Sequence, residues 1–194
     1  QAMVVSQEQI ADGIFSMWIH TEAAQSARPG QFISMYTKDA TKLLPRPISI
    51  CEADKENGRL RIVYRIAGAG TKEFSECKAG DTLDIMGPLG NGFPLKKKKA
   101  FLIGGGIGIP PMLELAKNLD CEKTAVIGYR DQETFLADEL RKYAAVVIAT
   151  EDGSVGTKGN VMDAIRENGL EADAIFACGP APMLRAIKAY ALEK

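Results

Sequence analysis

The chain has 194 residues, of which 46% are apolar and 25% charged, and its formal net charge is −1. This composition is ordinary for a globular protein, and so small a net charge gives no reason to expect nucleic acid or an anionic membrane surface as partner. The sequence holds no apolar run of about 18 residues, so we expect no membrane-spanning helix. The start, Gln1–Met3, lacks a charged-then-apolar signal pattern, which predicts a cytoplasmic protein.

Cysteine and histidine are sparse. The four cysteines, Cys51, Cys77, Cys121 and Cys178, are far apart and form no C-x-x-C pair. That spacing argues against a zinc site or an iron–sulfur cluster held within this chain, so no metal ligands are predicted. With His20 as the single histidine, histidine-based metal or triad chemistry is disfavoured, and we expect His20 at the surface end of a strand.

Up to about Leu95 the chain is predicted to form short strands separated by turns. The predicted strands are Ile14–His20, Gln31–Tyr36, Pro47–Cys51, Leu60–Tyr64 and Thr82–Met86, with one short helix at Thr71–Ser75. Strands at this spacing are typical of a small antiparallel barrel or a sandwich.

Two stretches of this half carry groups suited to a phosphate. Arg46-Pro47-Ile48-Ser49 combines a guanidinium, which binds phosphate bidentately, with a hydroxyl on a stiff strand. Gly68-Ala69-Gly70-Thr71 precedes the short helix and offers backbone N–H groups and a hydroxyl to an anion. Between them in sequence lies Val63-Tyr64-Arg65. Each has a simpler interpretation: Arg46 in a surface ion pair, the glycines as a turn, and Tyr64 in the core.

The pattern changes at Lys96–Lys99, a basic run that we interpret as a connector between domains at residues 1–95 and 99–194. Directly after it, Ala100–Met112 reads AFLIGGGIGIPPM: an apolar strand, a glycine turn and a proline-marked helix start. Glycines let a backbone approach a ligand closely, and free N–H groups at a helix start favour a phosphate. We predict a dinucleotide pyrophosphate over Gly105–Gly108, the alternative being a turn that only lets strand and helix pack.

From Ala100 onward strands and helices alternate, which predicts a doubly wound parallel sheet. The predicted strands are Phe101–Ile103, Thr124–Gly128, Ala145–Ala149 and Ala174–Cys178, and the predicted helices are Pro111–Leu119, Phe135–Tyr143, Val161–Asn168 and Ala181–Leu192. Ligands of such folds bind beyond the carboxyl ends of the strands. We expect Tyr129–Asp131, Thr150–Ser154 and Cys178 at that edge with the glycine turn, although Cys178 could equally be a buried apolar residue.

Five motifs follow one another in order: PRPIS (45–49), GAGT (68–71), GGGIGIPPM (104–112), TEDGSVGTKG (150–159) and CGPAPML (178–184). Together they resemble the ferredoxin-reductase superfamily, and most closely the family of electron-transfer subunits of type B dihydroorotate dehydrogenase, over about Val4–Leu192. Each motif alone is weak, but the ordered set is specific. Commoner reductases of the superfamily have tyrosine where Ile48 stands, whereas the RPIS form is usual in the dihydroorotate dehydrogenase subunits.

The resemblance implies an FAD-binding β-barrel followed by an NAD-binding α/β domain. It assigns the FAD pyrophosphate and flavin edge to Arg46, Pro47, Ile48 and Ser49, the flavin lining to Val63, Tyr64 and Arg65, and the FAD phosphates to Gly70 and Thr71. It assigns the NADH pyrophosphate to Gly104, Gly105, Gly106 and Gly108, and the nicotinamide to Cys178 and Gly179. Ser49 and Cys178 are the candidate catalytic residues, Ser49 through a hydrogen bond near flavin N5. Asp131 or Glu133 is a candidate for the adenine ribose hydroxyls.

The resemblance further implies hydride transfer between NADH and FAD. Electrons would then pass through a [2Fe–2S] cluster to the FMN of a catalytic subunit that interconverts dihydroorotate and orotate in pyrimidine biosynthesis, within a heterotetramer. The family carries that cluster in a cysteine-rich segment beyond the last predicted helix, so we expect no residue of Gln1–Lys194 to ligate it. The alternatives are the small subunit of an NADH-dependent ferredoxin:NADP reductase or sulfide dehydrogenase, and a non-catalytic nucleotide-binding regulatory module.

Overall fold

The structure is a computed structural model that describes residues 1–39, 41–95 and 98–193. The chain divides into two compact units, Gln1–Phe93 and Pro94–Lys194. Lys96 and Lys97 of the predicted basic connector lie outside the described residues.

The first unit is a closed antiparallel barrel with the strand order β1-β2-β5-β4-β3-β6. Its elements are β1 (Ala2–Ala11), β2 (Ile14–His20), α1 (Ala23–Ser26), β3 (Phe32–Tyr36), β4 (Arg46–Asp54), β5 (Arg59–Arg65), α2 (Ala69–Ser75) and β6 (Thr82–Leu89). Because β1 also pairs with β6, the sheet closes, and of the two predicted architectures the barrel is the one formed. His20 is exposed at the end of β2, as predicted.

Alternate residues of the strands fill the barrel, as the two-residue repeat of a strand requires. Met17 and Ile19 of β2, and Leu60, Ile62 and Tyr64 of β5, all belong to one buried cluster. The sequence prediction missed β1 because its burial is mixed along its length and glutamine and glutamate hide the alternation. It missed α1 because a four-residue helix has too few residues to show a period.

The second unit is a five-stranded parallel sheet with the order β10-β9-β8-β7-β11, so the predicted doubly wound fold is confirmed. Its strands are β7 (Ala100–Gly105), β8 (Lys123–Tyr129), β9 (Ala145–Thr150), β10 (Thr157–Lys158) and β11 (Ala174–Cys178). Its helices are α3 (Pro110–Asn118), α4 (Ala137–Arg141), α5 (Val161–Glu167) and α6 (Ala181–Glu193), with a 3₁₀ turn at Gly106–Gly108. Among the described residues, no helix has the length and apolar character needed to cross a membrane.

The direction of winding reverses beside β7, because β8 lies on one side of it and β11 on the other. At such a reversal the loops that leave the strands run apart, which opens the usual ligand crevice of this fold. α4 is shorter than the predicted helix 135–143: it ends at Arg141, and it begins only at Ala137 because Leu136 before it has the left-handed φ of 65°. The Tyr129 hydroxyl donates to the Phe135 carbonyl oxygen over 2.7 Å and ties the residues before α4 to the end of β8.

Three glycines at the end of β7 and in the turn that follows it are closely packed inside the second unit. A Cβ on Gly104 would lie 2.9 Å from Cα of Ile109, and one on Gly105 would lie 2.6 Å from Sδ of Met183. A Cβ on Gly108 would lie 2.2 Å from the carbonyl oxygen of Cys178. The packing interpretation of this turn is therefore correct for Gly104, Gly105 and Gly108, whatever ligand the turn also binds.

We expect Gly108→Ala to destabilise the second unit more than Gly105→Ala. The obstacle at Gly108 is main chain at the end of β11, which cannot move without breaking the sheet, whereas the nearest obstacle at Gly105 is a flexible methionine. Overpacking of this kind costs about 1–3 kcal/mol. Urea unfolding of the two variants measures the difference; an equal loss of stability in both would contradict it.

Candidate functional site

The two strand segments that we predicted to contact a ligand, residues 46–49 and 63–65, lie where the pairing of β4 with β5 ends. The β4–β5 ladder runs from Asp54 and Arg59 to Ile50 and Ile62, where it ends. Beyond that point residues 46–49 pair with β3, and residues 63–65 pair with β2. Beyond Ile50 and Ile62 the barrel wall thus has a stretch in which no ladder joins β4 to β5.

The main chain of Ser49 is directed into this stretch. The Ile50 amide donates to the Gln31 carbonyl oxygen over 3.0 Å, on the β3 side of the strand. Because main-chain groups alternate between the two edges of an antiparallel strand, those of Ser49 point to the β5 side. Ser49 is half-buried, so its amide lies at a sheltered edge together with its hydroxyl. Such a set of groups can hydrogen-bond the polar rim of a planar heterocycle.

The guanidinium of Arg46 lies directly against Gly70, the second residue of α2. A Cβ on Gly70 would lie 2.1 Å from Nε and 2.4 Å from Cζ of Arg46, so only glycine fits there with Arg46 in this position. The hydroxyl of Thr71 closes the turn before the helix by accepting from the amides of Ala67 and Gly68 at 2.8 and 3.2 Å. The two predicted phosphate sites, Arg46–Ser49 and Gly68–Thr71, therefore meet at one end of the barrel.

Arg46 is held by the loop that precedes β4. Its Nη1 donates to the Leu44 carbonyl oxygen and, over 3.4 Å, to that of Lys42. The same loop is bound to α2 by Glu73, whose carboxylate accepts from the Lys38 amide at 2.6 Å and from Lys42 Nζ at 2.8 Å. Glu73 could not be recognised from the sequence, because a glutamate on a short helix gives no sign of which loop it will meet.

The side chain of Tyr64 is part of the barrel core. It is 1% exposed, stacks on Phe15 and meets Phe74 edge to face. Its hydroxyl donates to Oε1 of Gln7 over 2.6 Å, and burial raises the pKa of Tyr64, so that the hydroxyl remains a donor. Of the predicted lining residues, Val63 is also buried and Arg65 is exposed, so any ligand contact of Tyr64 is left to its main chain.

The glycine turn of the second unit exposes a short piece of main chain. Gly104, Gly105 and Gly108 are buried, whereas Gly106 is half-buried and Ile107 is 39% exposed. Gly106 has φ 54°, in the region that favours glycine. The expectation that the helix start supplies free N–H groups was wrong in part. α3 begins with Pro110 and Pro111, which have no N–H, and the Met112 amide donates to the Ile109 carbonyl oxygen. Amide donors for an anion must come from the turn.

Cys178 lies beside this turn, as predicted from the topology. It pairs in register with Gly104 at the carboxyl end of the sheet. The thiol is half-buried, and burial raises the pKa of Cys178, so that it stays a neutral thiol at neutral pH. Gly179, which follows it, packs closely enough that a Cβ would lie 2.5 Å from Cε of Met183.

The loops after β8 and β9 lie side by side at the same edge. The amides of Glu151 and Asp152 donate to the carbonyl oxygens of Tyr129 and Arg130 over 3.2 and 3.3 Å. Hydrogen bonds from the hydroxyl and amide of Ser154 hold the pKa of Asp152 below its usual range. In the neighbouring loop, Oδ1 of Asp131 accepts from the amide of Glu133 over 2.9 Å. The two loops hold one cation, Arg130, and four carboxylates, Asp131, Glu133, Glu151 and Asp152, so the edge beyond β8 and β9 is acidic overall.

Within the described ranges 1–39, 41–95 and 98–193, no three or more His, Cys, Asp or Glu side chains are placed to hold a metal ion. All four cysteines are described residues, none of them is part of a disulfide, and they lie in separate places: Cys51 in β4, Cys77 after α2, Cys121 after α3 and Cys178 in β11.

The family model described as an oxidoreductase FAD-binding domain matches residues 1–93, which is the barrel unit. Among solved structures, the chain is similar to that of an NADH-dependent reduced ferredoxin–NADP oxidoreductase, with a TM-score of 0.89 and 31% identity. That match covers 98% of this chain and 71% of the other. The ferredoxin reductase of carbazole 1,9a-dioxygenase has a TM-score of 0.84 at 22% identity, over 100% and 64% of the two chains, and shows the shared fold.

Two curated relatives carry one name, "dihydroorotate dehydrogenase B (NAD(+)), electron transfer subunit". The protein from Streptococcus mutans is 47% identical over 191 residues, which cover 94% of this chain and 74% of the relative. The protein from Listeria innocua is 42% identical over 194 residues, 96% and 76% of the two chains. The resemblance drawn from the five motifs is confirmed: the chain belongs to the family of dihydroorotate dehydrogenase B electron transfer subunits, within the ferredoxin-reductase superfamily.

Proposed function

We propose that this chain is an electron-transfer flavoprotein subunit that passes electrons between NAD(H) and FAD, and onward to an FMN-containing catalytic subunit that interconverts dihydroorotate and orotate. The barrel unit binds FAD and the parallel-sheet unit binds NAD(H). The observation that carries the proposal is the meeting of Arg46 with Gly70 beside the unpaired stretch of β4 and β5, which joins a phosphate-type site to a sheltered polar edge.

The residues of the barrel unit fit FAD. Arg46 supplies a bidentate phosphate donor, and the close contact at Gly70 leaves main chain rather than a side chain beside it. Pro47, Ile48 and Ser49 on one side, and residues 63–65 on the other, border the stretch assigned to the flavin edge. When bound, FAD supplies the redox chemistry: it can accept two electrons as a hydride and release them one at a time. The protein contributes binding and orientation. Ser49 is the residue proposed to hydrogen-bond the flavin near N5.

The residues of the second unit fit a dinucleotide in a different way. We assign the pyrophosphate to the main chain around Gly106. Gly104, Gly105 and Gly108 pack against neighbouring parts of the second unit and so fix the shape of the turn. Cys178 and Gly179, at the neighbouring strand end, are assigned to the nicotinamide. As a neutral thiol, Cys178 offers a weak hydrogen bond and no negative charge, so its proposed part is positioning rather than nucleophilic attack.

The acidic edge beyond β8 and β9 favours NADH over NADPH in this proposal. Asp131 or Glu133 would accept from the adenine ribose hydroxyls. The carboxylates of Glu151 and Asp152, brought alongside by the hydrogen bonds between the loops, would repel a 2′-phosphate.

The onward route belongs to the same proposal. Relatives of this chain are named as electron transfer subunits of dihydroorotate dehydrogenase B, which supports a catalytic partner. We propose that the two kinds of subunit form a heterotetramer. A [2Fe–2S] cluster is the proposed onward acceptor. We do not assign the cluster to Cys51, Cys77, Cys121 and Cys178, because these cysteines lie in separate parts of the chain.

A second candidate function follows from the solved structure at 31% identity, which is described as an NADH-dependent reduced ferredoxin–NADP oxidoreductase. In that case the chain would deliver electrons to a ferredoxin-type partner. The two candidates share the flavin and nucleotide sites and differ in the partner, so identification of the subunit that co-purifies with this chain decides between them.

We expect the purified chain to be yellow with bound FAD and to reduce ferricyanide with NADH. Ferricyanide accepts single electrons directly, so neither partner nor cluster is needed for this assay. A folded preparation that remains colourless and cannot be reconstituted with FAD would overturn the proposal. One that binds both nucleotides without reducing ferricyanide would favour a regulatory module.

Arg46→Ala is expected to weaken FAD binding by roughly a hundredfold, since a charge-assisted bidentate contact to phosphate is lost. Riboflavin has the same ring system without phosphates, so its affinity should stay near that of the unaltered chain. Titration of the apoprotein with each flavin, followed by flavin fluorescence, measures both. If FAD affinity is unchanged, the phosphate assignment is wrong.

Replacing Asp131 and Glu133 together by serine is expected to lower the preference for NADH over NADPH by about tenfold, because the acceptors for the ribose and part of the negative charge are removed. Glu122→Ser is the matched control, since Glu122 precedes the same strand β8 at its opposite end. Steady-state kcat/KM with both nucleotides gives the ratio, and an identical ratio in both variants would exclude the assignment.

A further inference from the structure

We propose that Glu73 is a positioning residue for the FAD phosphate site: it holds the loop that carries Arg46 against α2, so that the guanidinium is placed before FAD binds. The inference rests on the proposed assignment of Arg46 to the FAD phosphates. It assigns to Glu73 no contact with the cofactor.

Glu73 makes two contacts to one loop. Its Oε1 accepts from the main-chain amide of Lys38 over 2.6 Å, and its Oε2 accepts from Nζ of Lys42 over 2.8 Å. The side chains of Glu73 and Lys42 are 25% and 23% exposed, so the pair is partly sheltered from water. Burial works to raise the pKa of Glu73, but the hydrogen bonds from Lys42 and Lys38 hold it below its ordinary value, so the carboxylate is charged at neutral pH.

The loop in turn holds the guanidinium. Nη1 of Arg46 donates to the carbonyl oxygens of Lys42 and Leu44, which are main-chain groups of the segment that Glu73 binds. One residue of the loop, Lys42, therefore makes both contacts: its ammonium reaches Glu73 and its carbonyl accepts from Arg46. A shift of this segment moves the acceptors of Arg46.

The contacts form a closed ring on α2. Glu73 and Gly70 are three residues apart on one helix, so they lie on neighbouring turns of the same face. The ring runs from Glu73 through Lys42 to Arg46, and from Arg46 back to Gly70. An arginine side chain loses rotamer freedom when it is fixed. Fixing Arg46 before binding spares FAD that cost.

The same region offers a matched control. Glu76 pairs with Lys72 over 3.4 Å, but both side chains are mostly exposed, at 65% and 60%. This ion pair joins two neighbouring turns and does not reach the loop before β4. Glu73→Ala and Glu76→Ala therefore remove the same group from almost the same place, and only the first releases the Arg46 loop.

The test uses the full chain freed of flavin, titrated with FAD and with riboflavin. Glu73→Ala is expected to raise the Kd for FAD about tenfold and to leave the Kd for riboflavin unchanged. Glu76→Ala should leave both unchanged. Glu73→Gln keeps an acceptor for the Lys38 amide and loses the charge, so its effect should be smaller. In the Arg46→Ala background, Glu73→Ala should add nothing, because the side chain that it positions is gone.

The outcomes separate this inference from the proposed function. If Arg46→Ala weakens FAD binding but Glu73→Ala behaves like Glu76→Ala, Glu73 does not position Arg46 and the phosphate site stands. If Glu73→Ala weakens FAD and riboflavin equally, or adds its full effect in the Arg46→Ala background, its role is general stability and the inference fails. If Arg46→Ala leaves FAD binding intact, the phosphate assignment itself fails.

Discussion

The close approach of the Arg46 guanidinium to the main chain of Gly70 is the constraint on which the barrel unit's site depends. A side chain at position 70 would occupy the space that the Arg46 guanidinium fills, so any residue other than glycine there displaces Arg46. The contact brings a strand start and a helix start to one place. It does so at the end of the barrel where β4 and β5 have already parted at Ile50 and Ile62. A charged group and an unpaired strand edge thus become neighbours.

Contacts with the barrel core fix α2, the helix that carries Gly70. α2 has seven residues, too few to be stable alone, and is fixed by contacts at both ends. Phe74 is fully buried among the core residues, and Nε2 of Gln7 donates to the carbonyl oxygens of Phe74 and Cys77, each over 3.0 Å. Tyr64 donates to the same Gln7 side chain. The position of α2 is therefore set by apolar packing and by hydrogen bonds that reach across the barrel from β1.

The glycine motif of the second unit has two roles, close packing within the unit and exposure of main chain to a ligand. Gly104, Gly105 and Gly108 each sit where a Cβ would collide with the helix, side chain or strand end behind them, and Gly106 alone of the run has a positive φ. Gly104, Gly105 and Gly108 thus allow close packing, and Gly106 between them is the residue left for a ligand to approach. Pro110 and Pro111 start α3 without N–H groups, which moves the available amide donors from the helix to the turn before it.

Sequence alone determined most of the secondary structure and its class. The rough alternation in Ile14–His20 and the continuous apolar run of the central strand after Lys99 are local properties, so both strands could be recognised from their own residues. The change of pattern near Leu95 separated barrel from parallel sheet. The order of five motifs determined the family. Tertiary structure alone decided that Tyr64 lies in the core, that β1 closes the barrel, and that Glu73 meets the loop before Arg46. These three features depend on contacts between residues far apart in the chain. The type of a residue does not indicate which distant residue it will contact.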